Sequence, residues 1–167
     1  MSNEKMLELK SVKFFAQMSE ETLCFHANVY WKGKKIGTIK NAGHGGECED
    51  WADLDKREQW AEMEAWIDTL PERQVNFEGS KPFSYPESVD TLCNDLVTDF
   101  LYRRDFKKLC NKWVYFKDGD FTATYSIKKS PHYGVEQVRQ HLSAKVDGEC
   151  ILINDLTFEQ YRAYTNA

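Results

Sequence analysis

Hydrophobic and polar residues alternate through the first forty positions, a pattern typical of β-strands. Residues 7–16 predict one strand, and residues 24–40 predict a hairpin whose arms flank Lys32, Gly33 and Lys34. Side chains point alternately to the two faces of a strand, so one face of the first arm carries four apolar side chains: Phe25, Ala27, Val29 and Trp31. The chain is therefore expected to open with three antiparallel strands.

The middle of the chain changes to helical spacing. A helix is predicted to begin near residues 50–55, where carboxylates suit the positive end of the helix dipole, and to end before Pro71. Its apolar positions recur every three or four residues: Trp60, Met63, Ile67 and Leu70. Residues 71–86, which hold three of the four prolines, predict a loop, and residues 87–110 predict a longer helix.

The last third returns to alternation and closes with helices. Two apolar runs flank Asp118-Gly119, a pair that suits the positive φ angles of a tight hairpin turn. A helix over residues 134–146, a strand over 149–153 and a final helix capped by Thr157 follow. Hairpins dominate this order, which predicts an α+β fold with a mainly antiparallel sheet and about four helices packed on it. We expect residues 1–167 to form a single domain, with a subdivision near residue 80 as the alternative.

The net charge of −5, from 22 basic and 27 acidic residues, is unevenly distributed. Residues 1–40 carry a net charge of +3, residues 47–72 carry −8, and the remainder is neutral. The acidic segment also holds three tryptophans, which helical projection cannot all bury together with Met63 and Ile67. Aromatic anchors beside carboxylates suit a basic protein partner, whereas the alternative is a wide core face with a solubilising back. The candidate partner-binding residues are Asp50, Trp51, Asp53, Asp55, Glu58 and Glu62.

A glycine-rich segment, residues 41–46, separates the first hairpin from the predicted helix. Glycines let successive N–H groups converge on a phosphate or carboxylate, and His44 supplies a further donor. The segment matches neither a Walker loop nor a dinucleotide fingerprint, and its simpler interpretation is a connection that needs positive φ angles. The residues of this alternative ligand site, with two arginines added, are Asn41, Gly43, His44, Gly45, Gly46, Arg103 and Arg104.

Metal binding and catalysis find little support in the sequence. Cys24, His26, His44 and Cys48 supply a Cys₂His₂ ligand set in principle, with Cys24 and His26 expected on one strand face. Their spacing matches no zinc family, and both strand residues are more simply explained as parts of a sheet. No nucleophile elbow or Cys/His signature is present, which favours a protein without enzymatic activity, resident metal or cofactor.

Composition also indicates the compartment and the kinds of partner. The N-terminal residues lack the apolar core of a signal peptide, no stretch of 18 apolar residues occurs, and the five cysteines are scattered. We expect a soluble cytoplasmic protein with reduced thiols and no membrane partner. An isoelectric point near 5.4 lacks the basic character of a nucleic-acid binder, so direct nucleic-acid binding is not expected. A homodimer is compatible with the sequence.

Two parts of the chain resemble a group of small phage- and plasmid-borne accessory proteins. The first is Cys24-Phe25, a hairpin and then Gly43-His44-Gly45-Gly46, and the second is the C-terminal segment Ile151-Leu152-Ile153-Asn154-Asp155. The resemblance covers the two ends of the chain and assigns no catalytic residue. It implies a mobile-element protein of the kind that inhibits host defence, such as an anti-CRISPR or anti-restriction protein. The expected partner is then a host protein or nucleoprotein complex, and the alternative function is binding of a nucleotide or phosphate ligand.

Overall fold

A computed structural model describes residues 6–76, 79, 81–117, 120–132, 134–143 and 150–165 of the chain. The chain divides into two compact units, Met1–Thr98 and Asp99–Ala167. Helices and antiparallel sheets make up both, so the predicted α+β class is confirmed. The single-domain organisation stays a prediction.

The first unit is built on a four-stranded antiparallel sheet in which sequence neighbours are also spatial neighbours. Its strands are β1 (Leu7–Phe14), β2 (Phe25–Trp31), β3 (Lys34–Asn41) and β4 (Glu49–Ala52). Trp31 pairs with Lys34, so the β2–β3 turn consists of Lys32 and Gly33, whose φ angles are 48° and 78°. Positive φ at both central residues is typical of the turn that joins two twisted strands directly. The predicted hairpin is confirmed.

The core of the first unit lies on one face of this sheet. The four β2 side chains predicted to share a face are all buried, together with Ile36 and Ile39 of β3. Helix α1 (Arg57–Ile67) contacts β2 and β3 and buries Trp60, Met63 and Ile67. Glycine at position 37 lets the Trp60 ring of α1 and the backbone of β4 lie close to β3. A Cβ there would lie 2.6 Å from the Trp60 ring and 2.2 Å from a β4 carbonyl oxygen.

The predicted start of the first helix near residues 50–55 is wrong. Glu49–Ala52 forms the fourth strand, Leu54–Lys56 forms a 3₁₀ turn, and α1 begins only at Arg57. The Asp53 N–H donates to the Ile36 carbonyl at 2.8 Å, which continues the pairing of β4 with β3. This segment therefore satisfies its backbone by pairing with β3 rather than by a helical turn, and the helix-dipole preference of the carboxylates is overridden.

The loop predicted over residues 71–86 contains a short antiparallel hairpin, so that prediction is also corrected. Its strands are β5 (Arg73–Val75) and β6 (Phe83–Tyr85). Prolines 71, 82 and 86 lie just outside the paired residues, where their missing N–H groups interrupt no pairing. The Arg73 guanidinium binds the carboxylates of Glu87 and Asp95, which ties the hairpin to the following helix.

The long helix α2 (Val89–Cys110) closely matches the predicted range of 87–110. Ser88 caps its start: the Thr91 N–H donates to Ser88 Oγ at 3.1 Å, and the Ser88 N–H donates to Thr91 Oγ1 at 2.9 Å. Such a reciprocal pair satisfies amides that a helix leaves free at its first turn. The boundary between the two units falls within this helix.

Besides the C-terminal half of α2, the described part of the second unit contains a three-stranded antiparallel sheet and two further α-helices. The strands are β7 (Lys112–Lys117), β8 (Asp120–Lys128) and β9 (Cys150–Leu152), with β7 in the centre, and the helices are α3 (Val135–Ser143) and α4 (Phe158–Thr165). Thr157 caps α4 as predicted, since its hydroxyl accepts from the Gln160 N–H. The β7–β8 hairpin is confirmed, whereas its predicted Asp118-Gly119 turn lies outside the described residues. Residues 144–146 of the predicted 134–146 helix and residue 149 of the predicted 149–153 strand lie outside them too.

Candidate functional site

The most distinctive surface of the first unit follows β4 and the turn after it. Trp51 is 46% exposed and Leu54 is 83% exposed, which is unusual for two large apolar residues only three positions apart. Acidic residues flank both in the sequence. We call this set the β4 surface: Asp50, Trp51, Asp53, Leu54, Asp55 and Glu58.

Sheet geometry explains the exposure of Trp51. Trp51 pairs with Thr38, so its side chain lies on the face of the sheet opposite to the core. The Lys40 ammonium lies 4.9 Å from the centre of the Trp51 ring and also pairs with Glu49 at 3.2 Å. The other two tryptophans of the acidic segment have packing partners. Trp60 is buried, and Trp66 packs on Trp31 with ring centres 5.1 Å apart. The predicted aromatic surface beside carboxylates therefore reduces to Trp51.

Folding brings lysines of the first hairpin against the acidic segment. Asp53 pairs with Lys35 at 3.2 Å, and Glu62 pairs with Lys32 at 2.5 Å. Asp55 pairs with the adjacent Lys56 at 2.8 Å. Among the described residues Asp50 and Glu58 have no ion-pair partner, so they retain unpaired charge. The strongly negative segment of the sequence is thus partly neutralised in the fold.

The carboxylate of Glu62 has a structural role. It accepts a hydrogen bond from the Trp31 indole N–H at 3.1 Å as well as from Lys32. The hydrogen bond from Lys32, followed by that from Trp31, lowers the pKa of Glu62 below its usual range. Because replacing Glu62 would leave a buried tryptophan without its partner, a loss of binding in such a variant would not report on a contact surface.

The electrostatic environment of Asp50 differs from that of Glu62. Asp50 pairs with Ile39 across the sheet, so its carboxylate lies on the core side of the sheet edge. Asp50 as a whole residue is exposed, but partial burial of its carboxylate raises the pKa, and the nearby carboxylates of Glu64 and Asp90 raise it further. The ionised form of Asp50 is thus less favourable in the folded chain than in the unfolded chain.

Replacing Asp50 by asparagine is therefore expected to stabilise the protein at neutral pH. A folded-state pKa above the unfolded value imposes a cost that is present at higher pH and disappears as the pH falls through the folded pKa. We expect Asp50→Asn to raise the melting temperature by about 1–3 °C at pH 7, with the gain shrinking toward acid pH. Thermal unfolding across pH measures this, with the exposed Glu58→Gln as control. A lower melting temperature for Asp50→Asn at pH 7 would contradict the assignment.

The glycine loop, residues 41–46, is held by an internal hydrogen-bond network. The Asn41 side chain is buried, accepts hydrogen bonds from the Gly43 N–H at 2.9 Å and the Thr22 hydroxyl at 2.7 Å, and donates to the Gly46 carbonyl at 3.2 Å. Gly43, Gly45 and Gly46 have φ angles of +88°, +91° and +83°. The conformation is therefore that of a connection requiring positive φ, as the simpler interpretation predicts.

The chemistry around this loop does not favour an anion. The Gly45 N–H donates to the Thr22 hydroxyl at 3.3 Å, while the Gly43 carbonyl accepts three backbone N–H groups, those of Glu20, Glu21 and Thr22. His44 Nδ1 lies 3.2 Å from a Glu20 carboxylate oxygen. Amide groups needed to bind a phosphate are thus used within the protein, and carboxylates lie beside them. The geometry gives no support to the phosphate-binding alternative, which stays a prediction.

The two arginines assigned to that alternative site belong to the second unit. Arg103 pairs with Asp99 at 2.7 Å and lies over the Phe158 ring, 4.1 Å from its centre. Arg104 pairs with Asp105 at 3.2 Å. Both guanidinium groups therefore have local carboxylate partners in their own unit.

The four candidate zinc ligands are not assembled into a site. Cys24 is buried just before β2, whereas His26 is exposed, so these two side chains do not present one common face. The Cys48 sulfur accepts from the Asn41 and Asn94 amides, and burial followed by Asp90 raises its pKa to about 12. A thiol held protonated is a poor metal ligand. Within the described ranges no group of three or more His, Cys, Asp or Glu side chains is placed to hold a metal ion.

Comparison with protein-family models, curated proteins and solved structures finds no match to this chain. The class that the fold defines is a protein of α+β architecture with antiparallel sheets. Of the helices in the described part of the chain, none combines the length and apolar character needed to cross a membrane.

Leu54 is the member of the β4 surface that sequence reasoning missed. The sequence pattern predicts a helix start at this position, and a helix start gives no reason to expect an exposed leucine. Its signal was an isolated apolar side chain between Asp53 and Asp55, outside the helical repeat of Trp60, Met63 and Ile67. The structure places it beside the strand that carries Trp51.

Proposed function

We propose that this chain is a non-enzymatic interaction protein of a phage or other mobile element, which inhibits a host defence complex of the anti-CRISPR or anti-restriction type. The β4 surface makes the contact, and the partner is a host protein or nucleoprotein complex. The observation that carries this proposal is the exposure of Trp51 on an edge strand and of Leu54 in the turn after it, with carboxylates next to both in the sequence.

The apolar members of the surface supply binding energy. Burying a large apolar side chain stabilises a complex by about 1.5–3 kcal/mol, and tryptophan is enriched among the residues that dominate interfaces. Trp51 needs little reorganisation to bind, because the cation–π contact with Lys40 already holds its ring against the sheet. Trp51 and Leu54 are thus suited to act as anchors.

The carboxylates determine which kind of partner the β4 surface binds. Asp50 and Glu58 have no ion-pair partner in the described part of the chain, and Asp55 is paired only with the adjacent Lys56. Such a surface attracts basic protein regions and steers their approach. Basic surfaces are typical of complexes that bind nucleic acid, which fits a defence complex as the partner.

Reversing charge at Asp55 and Glu58 tests this proposal. In capture from host lysate, followed by affinity measurement with the purified partner, the double variant Asp55→Lys/Glu58→Lys is expected to bind about tenfold or more weakly. Both side chains are exposed, so folding is preserved. Asp68→Lys is the matched control, since it reverses an exposed charge of the same acidic segment at the other end of α1. Equal binding by the double variant and the unaltered chain would reject the β4 surface.

A further inference from the structure

The outer side of β4 offers backbone groups to a further strand. The Asp53 N–H points to β3, and the Cys48 N–H points the other way and donates to Asp90 Oδ1 at 2.7 Å. Because backbone groups alternate in direction along a strand, the N–H and C=O groups of Asp50 and Ala52 point away from β3. Among the described strands β4 has β3 as its sole partner.

The two edges of this sheet are built differently. The β1 edge carries Lys10 and Lys13, with an irregularity between them at which Ser11 adopts a φ of 54°. Lysines and bulges are devices that keep a sheet edge from pairing with another chain. The β4 edge pairs in regular register and has the exposed Trp51 and Leu54 beside it. One edge is thus protected, and the other is open to pairing.

We infer that β4 accepts an extended, basic segment of a partner protein as an added strand of the sheet. This inference rests on the proposed function and names the way in which the partner is bound. The available edge is short, because Asp90 occupies the Cys48 N–H at one end and the 3₁₀ turn begins at Leu54 at the other. Main-chain hydrogen bonds at Asp50 and Ala52 set the register, while Trp51 and Leu54 supply apolar contact.

Charge selects a foreign basic strand over a second copy of this chain. A second copy of β4 would bring its own carboxylates, those of Glu49, Asp50 and Asp53, to the shared sheet edge, where the first copy already carries the same three. Like charges on paired strands are destabilising. Lysine or arginine side chains on an added strand would instead meet Asp50 and the carboxylates that follow β4.

A synthetic peptide of four Lys-Thr repeats tests the inference on the full chain. Lysine supplies charge and threonine favours extended backbone, whereas four Lys-Gly repeats have equal charge and low strand propensity. Amide hydrogen exchange is measured by NMR with and without each peptide. We expect the Lys-Thr peptide to slow exchange at Asp50 and Ala52 about fivefold or more, and the Lys-Gly peptide to bind more weakly.

The variant Ala52→Pro removes one outward N–H group without touching the pairing to β3. Proline is tolerated at such positions of edge strands, and we expect this variant to bind the Lys-Thr peptide about fivefold or more weakly. The exchange measurement on the unaltered chain provides the test even where this variant fails to fold. Equal binding of both peptides, protection away from β4, or no binding of either would overturn the inference.

Two further outcomes separate this inference from the proposed function. Loss of host-partner binding in Asp55→Lys/Glu58→Lys, combined with unchanged binding in a folded Ala52→Pro, would overturn strand addition while leaving the β4 surface as the contact. Self-association that protects Asp50 and Ala52 without peptide would identify a second copy as the occupant, and would overturn the basic strand.

Discussion

Replacing Gly43 by alanine is expected to destabilise the first unit by about 2–5 kcal/mol. Gly43 has a φ of +88°, and an added Cβ would lie 2.0 Å from the Met18 carbonyl oxygen and 2.8 Å from the Cys24 Cβ. Backbone atoms cannot give way as a flexible side chain can. The loop would have to move, and with it the Gly43 carbonyl that accepts three backbone N–H groups. Urea unfolding followed by tryptophan fluorescence measures the loss.

Gly46→Ala is the matched control for Gly43→Ala. Gly46 lies in the same loop with a φ of +83°, yet an added Cβ would meet no atom within 4 Å. Its replacement is expected to cost only the conformational penalty of about 1–2 kcal/mol. Equal losses for the two variants would show that the packing of Gly43 against Met18 is not what the structure describes.

Replacing Asn154 by leucine is expected to destabilise the second unit by about 2–4 kcal/mol. The Asn154 side chain accepts from the Val114 N–H at 3.1 Å and donates to the carbonyls of Cys110 and Lys112 at 3.1 and 2.8 Å. It therefore joins the end of α2 and the start of β7 to the segment after β9. Leucine has a similar size but leaves three backbone groups without these partners.

Asn111→Ala serves as the control, since Asn111 is exposed and lies between the same two elements. We expect it to change the free energy of unfolding by less than about 0.5 kcal/mol. Urea unfolding of the two variants gives the comparison, and hydrogen exchange at the Val114 amide reports on the local effect. If Asn154→Leu were as stable as the control, the hydrogen bonds of Asn154 would have no structural weight.

Local signals were sufficient for the elements that carry a long and regular pattern of apolar residues. Alternation fixed the faces of β2, and the spacing of apolar residues located most of α2. The segment Glu49–Ala52 was misassigned because four residues carry too little alternation to compete with a run of carboxylates. What makes it a strand is pairing with β3, a non-local interaction that no short window of sequence contains.

The candidate site could be predicted only in part, because its ion pairs and hydrogen bonds also depend on non-local contacts. Trp51 and its neighbouring carboxylates stood out by composition, but the pairing of Glu62 with Lys32 joins residues thirty positions apart in the sequence. The glycine loop is similar: its need for positive φ follows from its residues, whereas the engagement of the Gly45 N–H by Thr22 depends on a distant turn. Sequence composition shows which charges exist, and the fold decides which of them remain unpaired.

Hydrogen exchange of the full chain, alone and in complex with the purified host protein that it captures, tests the β4 surface most directly. Slower exchange centred on residues 49–58, with the amides of Asp50 and Ala52 among the protected groups, is the expected result. Unchanged exchange over residues 49–58, with protection elsewhere on the chain, would contradict the β4 surface as the site of partner binding.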